Sequence, residues 1–196
     1  MFNHAFGSYM KHAFPHDELR PLSGGWSDSL IELGNVPTPK RTGYSGVAMT
    51  LIDSLDTLAV MGNQTAFAAA VTWVGRHVSF DQDAVVSVFE TTIRCLGGLL
   101  SAHVIAAGQL TGFEHMRVPG YTDSLLVLAR DLGDRLMPAF DAAPRTGIPY
   151  AFVHLQDGVT EQPVPEQCTA GVGTTLLEFA VLTNLTADER YVRASL

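Results

Sequence analysis

One segment of this 196-residue chain, residues 87–103, constrains its fold more than any other. Its apolar side chains return every three to four positions, which predicts a buried helix, yet it contains an acid, Glu90, and a base, Arg94. Four residues apart on a helix, these two side chains share one face. Burying either charge without a partner or a polar cavity would cost roughly several kcal/mol. The two residues therefore form a structural ion pair, which is common on helices, or line a site.

The composition predicts one globular domain over residues 1–196. The chain is 46% hydrophobic, which is enough for a sizeable core, and no linker or shift in composition divides it. The net charge is −8, and the 12 Lys and Arg residues are scattered along the chain. That distribution argues against nucleic acid or an anionic membrane surface as partner, whereas a neutral ligand such as a sugar is compatible.

Helical periodicity prevails along most of the chain and predicts an all-α protein built from antiparallel helical hairpins. The predicted helices are residues 3–14, 46–61, 64–78, 84–107, 121–137, 169–182 and 187–195. Two stretches rich in glycine or proline, 22–44 and 142–167, are predicted to be loops. Within the second loop, residues 147–153 could form a short extended piece.

The sequence around Glu90 and Arg94 favours the reading as a site. Residues 89–103 resemble the segment of glycoside hydrolase family 47, the α-1,2-mannosidases, that carries the general-acid glutamate. Further blocks resemble the same family in the same order, and they are closest to its endoplasmic-reticulum degradation-enhancing α-mannosidase-like branch. These blocks are residues 9–21, 50–58, 136–140 with 146–150, and 168–174. Together they correspond to the N-terminal part, less than half, of the family's catalytic domain.

The resemblance implies an (α/α)7 barrel, of which this chain would hold only the N-terminal hairpins. It further implies an enzyme of the endoplasmic reticulum lumen that trims mannose from N-glycans of misfolded glycoproteins by inverting hydrolysis. Glu90 would be the general acid, and Arg94 would bind the sugar. Inverting hydrolysis also needs a carboxylate that activates water, and the family's counterparts lie beyond residue 196, so we expect the chain alone to be inactive. The alternative is a non-catalytic glycan-binding module of quality control.

The resemblance also implies cofactors and partners. Calcium is expected in the complete family domain, but its threonine ligand has no counterpart here, so no metal ligand is predicted in this chain. The implied partners are high-mannose N-glycans and a protein disulfide isomerase. The branch often has a cysteine near Gly24 that is used in disulfide bonding, so the glycine puts the second partner in doubt. Gly171 matches the branch, since the processing mannosidases have glutamate there. Two N-glycosylation sequons, 63–65 and 184–186, fit a lumenal protein.

Several other polar residues could belong to a site or could have only a structural or surface role. Asp53 and Asp56 share a helical face, where they could pair over a pocket, but we favour a solvated surface. Asp17 and Glu18 could contact a ligand, but charges beside loops more often cap helices or stay solvated. His103 lies on roughly the opposite face of the helix from Glu90, which favours a packed or surface histidine over a catalyst.

The two cysteines and the paired glycines can also be explained by structure alone. Cys95 and Cys168 match no zinc or redox motif. Either they form a disulfide bond, or each is buried as a small hydrophobic side chain. Gly97 and Gly98 weaken a helix by about 1 kcal/mol each relative to alanine. We expect close approach of another helix to account for them, rather than contact of their backbone with a sugar.

Overall fold

The computed structural model describes residues 1–36, 43–141, 147–159 and 168–196, and these are mostly helical. The α-helices are α1 (Phe2–His12), α2 (Met49–Asp53), α3 (Leu55–Val60), α4 (Gln64–His77), α5 (Val88–Thr91), α6 (Gly97–Ala106), α7 (Ser124–Leu136), α8 (Pro138–Asp141), α9 (Thr169–Gly173), α10 (Thr175–Thr186) and α11 (Arg190–Ala194). The strands are β1 (Glu18–Arg20), β2 (Gly25–Ser27), β3 (Val85–Ser87) and β4 (Phe152–His154). Two 3₁₀ segments, Leu30–Asn35 and Glu114–Met116, and a π-helical turn, Thr92–Leu96, complete the description.

Helix α6 lies in the core, since seven of its ten residues are buried. It packs against α3 and α7, and α7 packs in turn against α4 and α10. Helix α7 is amphipathic, since its buried residues Leu125, Ala129, Leu132 and Leu136 return at helical spacing. The run Val88–Ala106 has the length and apolarity of a membrane-spanning helix, but 61% of that window is buried inside the protein, as in a core helix.

The predicted all-α character is confirmed, with corrections at particular elements. The prediction of one helix over 84–107 is wrong at its start, because Val85–Ser87 pairs with Phe152–His154 as an antiparallel ladder. The predicted helix 46–61 begins at Met49 and is divided at Ser54. The predicted loop 22–44 contains β2, which pairs with β1. Strand β4 confirms the extended piece in the second loop. Residues 37–42, 142–146 and 160–167 of the predicted loops lie outside the described residues.

Asp17 is a buried structural anion rather than a solvated charge or a ligand. Its side chain is fully buried, and its two carboxylate oxygens accept four hydrogen bonds. The donors are the backbone amides of Leu30, Val47 and Met49 and the hydroxyl of Tyr44. Burial, reinforced by the Asp17 charge, raises the pKa of Tyr44, so this hydroxyl keeps its proton and remains a donor. Asp17 thus ties the segment before α2 to the 3₁₀ turn at Leu30. Its neighbour Glu18 lies half-buried in β1.

The two cysteines differ from each other. Cys95 is buried in the core, where burial raises the pKa of its thiol. Cys168 is exposed, and the described residues contain no disulfide bond between them. The reading as two buried hydrophobic residues is therefore right for Cys95 and wrong for Cys168.

Candidate active site

Arg94 joins two carboxylates that are far apart in the sequence. Its Nε donates a hydrogen bond to Glu90 Oε2 at 2.9 Å, and its Nη1 donates to Asp53 Oδ2 at 3.3 Å. The structure thus brings the two predicted site residues together and adds Asp53, for which we favoured a solvated surface. We call these contacts of Arg94 with Glu90 and Asp53 the bridge. Asp56, which shares the helical face of Asp53, is exposed and is not part of the bridge. The guanidinium can serve both carboxylates because its donors form a fixed planar fork.

Local backbone structure places these side chains. Ser87 ends β3 and caps α5, its Oγ accepting a hydrogen bond from the backbone amide of Glu90 at 3.3 Å. Arg94 lies in the π-helical turn, a feature that often occurs at functional sites. Within the part of the chain that is described, the hydroxyls of Thr91 and Thr92 are buried without a hydrogen-bond partner. The two unpartnered hydroxyls thus lie at the start of the turn that carries Arg94.

The pKa values of Asp53 and Arg94 are raised for different reasons. Partial burial raises the pKa of Asp53, and the Arg94 charge opposes that shift. The hydrogen bond to Glu90 raises the pKa of Arg94, so the guanidinium remains charged. The side chain of Glu90 is 20% exposed, that of Asp53 34% and that of Arg94 37%. All three are therefore within reach of a ligand from solvent.

A cleft of about 400 Å³ opens beside this bridge. Its walls are largely apolar, and its polar side chains are Asp53, Asp56, Arg94, Ser101 and Glu178. An apolar wall with a few converging polar groups is typical of a small-ligand site. Glu90 does not itself line the cleft, and it is linked to it through Arg94.

Glu178 is a cleft residue that the sequence analysis missed. It lies on α10, its Oε2 is buried with no hydrogen-bond partner among the described residues, and burial raises its pKa. The signal that would have found it is the one that marked Glu90, since an acid stands alone between the apolar residues Leu177 and Phe179. The structure thus adds a third carboxyl group to the wall of the cleft, after those of Asp53 and Asp56.

The paired glycines lie where α6 meets α2. A Cβ atom built on Gly98 would be 2.8 Å from Ile52 Cγ2 and 3.0 Å from Ile52 O, which is too close. A Cβ atom on Gly97 would meet Glu178 Oε1 at 3.6 Å, an ordinary contact. The expected close approach is therefore confirmed at Gly98, whereas Gly97 faces the cleft. His103, on the same helix, is buried as a packed histidine, its Nδ1 3.0 Å from the Tyr121 hydroxyl.

The described residues do not fit a metal site. They contain no group of three or more His, Cys, Asp or Glu side chains arranged to hold a metal ion. Glu90 and Asp53 come together only around the positive charge of Arg94, which repels a cation. The chemistry of this cluster is that of a carboxylate with an orienting guanidinium.

Comparison with known proteins identifies the family. The family model for Glycosyl hydrolase family 47 matches residues 1–196. The chain is 45% identical to Alpha-mannosidase I MNS5 of Arabidopsis thaliana, over all of the chain and 33% of that protein. It is 42% identical to ER degradation-enhancing alpha-mannosidase-like protein 1 of Schizosaccharomyces pombe, over 97% of the chain and 24% of that protein. It thus spans a third or less of these curated relatives' length.

A solved structure supports the same assignment. The alpha-1,2-mannosidase from Trichoderma reesei superposes with a TM-score of 0.81 and 29% identity, over 99% of this chain and 37% of that one. This likeness confirms the predicted fold class, the all-α (α/α)7 barrel, for the part that the chain covers. The names of the relatives indicate an endoplasmic reticulum or secretory-pathway context. The chain belongs to glycosyl hydrolase family 47.

Proposed function

We propose that residues 1–196 are the N-terminal part of a catalytic domain that removes α-1,2-linked mannose from N-glycans by inverting hydrolysis. The observation that carries this proposal is the bridge from Arg94 to Glu90 and Asp53 beside the cleft. The Trichoderma reesei enzyme, which is named for the same reaction, supports it. The degradation-enhancing names of several relatives support misfolded glycoproteins as the source of the glycans.

In this proposal Glu90 is the general acid. Arg94 Nε holds Glu90 Oε2, which leaves Oε1 to carry the proton. As that proton passes to the glycosidic oxygen, the bond from this oxygen to the anomeric carbon breaks, and water attacks the same carbon from the opposite face. Arg94 is 37% exposed and has remaining guanidinium donors, with which it would hold and orient the hydroxyl groups of the mannose.

The remaining parts of the proposal come from the family resemblance. The carboxylate that activates water, and the threonine that holds calcium, are assigned to parts of the family domain that have no counterpart in residues 1–196. We place the protein in the lumen of the endoplasmic reticulum, acting on high-mannose N-glycans of misfolded glycoproteins. Pairing with a protein disulfide isomerase would have to use a residue other than Gly24, which cannot form a disulfide bond.

Glu90→Gln in the full-length protein tests the proposal. Glutamine keeps the shape and a hydrogen-bonding oxygen but has no acidic proton, so we expect hydrolysis of a high-mannose N-glycan to slow by at least about a hundredfold. Glu189→Gln is the matched control, because Glu189 is an exposed partner of Arg193 and should leave the rate unchanged.

Equal rates for Glu90→Gln and the wild-type protein would remove Glu90 from the mechanism. A wild-type protein that binds the glycan without hydrolysing it would instead support the non-catalytic module. Direct binding measurements with both proteins separate these two results.

A further inference from the structure

The backbone turn at Gly34 lies directly against the residue that caps the helix of Glu90. Gly34 has φ 68° and ψ 23°, in the left-handed region, and interrupts the 3₁₀ segment Leu30–Asn35. A Cβ atom built on Gly34 would lie 2.6 Å from Ser87 Oγ and 2.7 Å from Ser87 Cβ, which is too close for any side chain. We propose that Gly34 is a positioning residue for the general acid, because Ser87 fills the space of its absent side chain and holds the backbone of Glu90. This inference deepens the proposed function and rests on it.

Ser87 is buried and connects Gly34 with Glu90. As the N-cap of α5, its Oγ accepts a hydrogen bond from the backbone amide of Glu90 at 3.3 Å. The Cγ atom of Glu90 lies 3.5 Å from the Cβ position built on Gly34, which is an ordinary contact. A side chain at position 34 would therefore displace Ser87 first. Because the cap fixes the first turn of the helix, a displaced Ser87 would shift the carboxyl group of Glu90 relative to Arg94 and to the sugar.

A rotation of the Ser87 side chain would not relieve this contact. Rotation about χ1 moves Oγ, but Cβ is attached to the backbone and stays in place. That backbone is held by strand pairing, since Ser87 lies opposite Phe152 in the ladder of β3 and β4. The next backbone amide, that of Val88, donates a hydrogen bond to Ala151 O at 2.9 Å. Ser87 can therefore give way only if β3 and the start of α5 move with it.

The turn that carries Gly34 is held on both sides as well. The backbone amide of Leu30 donates a hydrogen bond to the buried carboxylate of Asp17 at 3.2 Å. The side chains of Leu30, Ile31 and Val36 are buried. The strain of a side chain at position 34 would therefore be shared between this turn and the capped start of α5, and the second of these carries Glu90.

Gly34→Ala in the full-length protein tests the inference. We expect kcat for hydrolysis of a high-mannose N-glycan to fall roughly ten- to a hundredfold with KM changed by less than about twofold, because a small misplacement of a reacting group slows the chemical step. Gly62→Ala is the matched control. Gly62 also has a positive φ, 71°, but a Cβ atom built there meets nothing within 4 Å. It introduces similar backbone strain without the contact and should keep the wild-type kcat.

Two double variants show whether the effect passes through Ser87 to Glu90. Ser87→Gly removes both atoms that the new Cβ would meet, and glycine is itself tolerated at an N-cap, so in that background Gly34→Ala should lower kcat by less than about threefold. In the Glu90→Gln background the acidic proton is already absent. There too, Gly34→Ala should lower kcat by less than about threefold, since residues that act as a unit have non-additive effects.

Equal kcat values for Gly34→Ala and Gly62→Ala would overturn the inference. The same fold loss from Gly34→Ala in all three backgrounds would also overturn it, because general damage to the fold gives that result. If Gly34→Ala alone does not fold, the double variant with Ser87→Gly should fold and keep the kcat of Ser87→Gly, and a double variant that also fails to fold would refute the role of Ser87. A wild-type protein that does not hydrolyse the glycan would instead refute the proposed function, and this inference with it.

Discussion

Replacing Gly98 by alanine should destabilise the protein, whereas the same change at the adjacent Gly97 should stabilise it. Each substitution removes a glycine from helix α6, which favours the folded state by about 1 kcal/mol. At Gly98 the new Cβ would overlap Ile52, at 2.8 Å from its Cγ2 and 3.0 Å from its carbonyl oxygen. The Cγ2 methyl group of Ile52 is attached directly to its Cβ, so it cannot move aside as the end of a long side chain would.

Such overpacking of a core costs about 1–3 kcal/mol. The net change in the free energy of unfolding is therefore a loss of up to about 2 kcal/mol for Gly98→Ala. For Gly97→Ala, where the nearest atom lies at 3.6 Å, we expect a gain of about 1 kcal/mol. Urea unfolding measures both values, provided that the slope with denaturant stays constant across the variants. If Gly98→Ala were as stable as Gly97→Ala, the close approach of α6 to α2 would be refuted as the reason for this glycine.

Two further predictions concern buried polar groups. Burial lowers the pKa of His103 below its usual 6.5, so the unfolded chain binds more protons, and the free energy of unfolding should fall as the pH drops from 6.5 through the folded-state pKa. His103→Gln should flatten this dependence in urea titrations between neutral and acidic pH, and an unchanged slope would contradict the assignment. Tyr44→Phe removes one donor from the buried carboxylate of Asp17 and should lower the free energy of unfolding by about 1.5–3 kcal/mol. A loss below about 0.5 kcal/mol would show that Asp17 does not depend on this hydroxyl.

The part of the site that could be predicted from sequence is the part that lies within one helical segment. Glu90 and Arg94 stand four residues apart among apolar residues, so their pairing followed from helix geometry alone. Asp53 is hydrogen-bonded to Arg94, which lies 41 residues later in the sequence. The local sequence around Asp53 indicates only that it shares a helical face with Asp56. The sequence carried no local sign that this face would meet the π-helical turn that contains Arg94. Glu178 carries the same local sign as Glu90, an acid flanked by apolar residues.

The missed strands have a common physical cause. Strands β1, β2 and β3 are each three residues long, too short for an alternating pattern to be recognised. Val85 and Val86 also continue the apolar run of the helix that follows, so periodicity extended that helix backwards. Only pairing with Phe152–His154, nearly seventy residues away, determines that these residues are extended.

Asp17 shows a second limit of sequence reasoning. An acid beside a loop is usually solvated or caps a helix, and nothing near Asp17 in the sequence indicates burial. Its burial is possible because three backbone amides and the Tyr44 hydroxyl converge on it from segments 13 to 32 residues away. The donors belong to the tertiary structure, and a charge becomes tolerable in the core only once all of them are in place.

The geometry around Arg94 bears on how the two roles of hydrolysis are divided. An inverting pair of carboxyl groups lies about 6.5–9.5 Å apart with the sugar and a water molecule between them. Glu90 and Asp53 are instead both hydrogen-bonded to one guanidinium, so that Arg94 lies between the two carboxylates. Asp53 therefore cannot serve as the base opposite Glu90 while this bridge is formed. Its role in the proposed mechanism is to hold Arg94 in place, so that one planar group both positions the general acid and presents its remaining donors to the ligand.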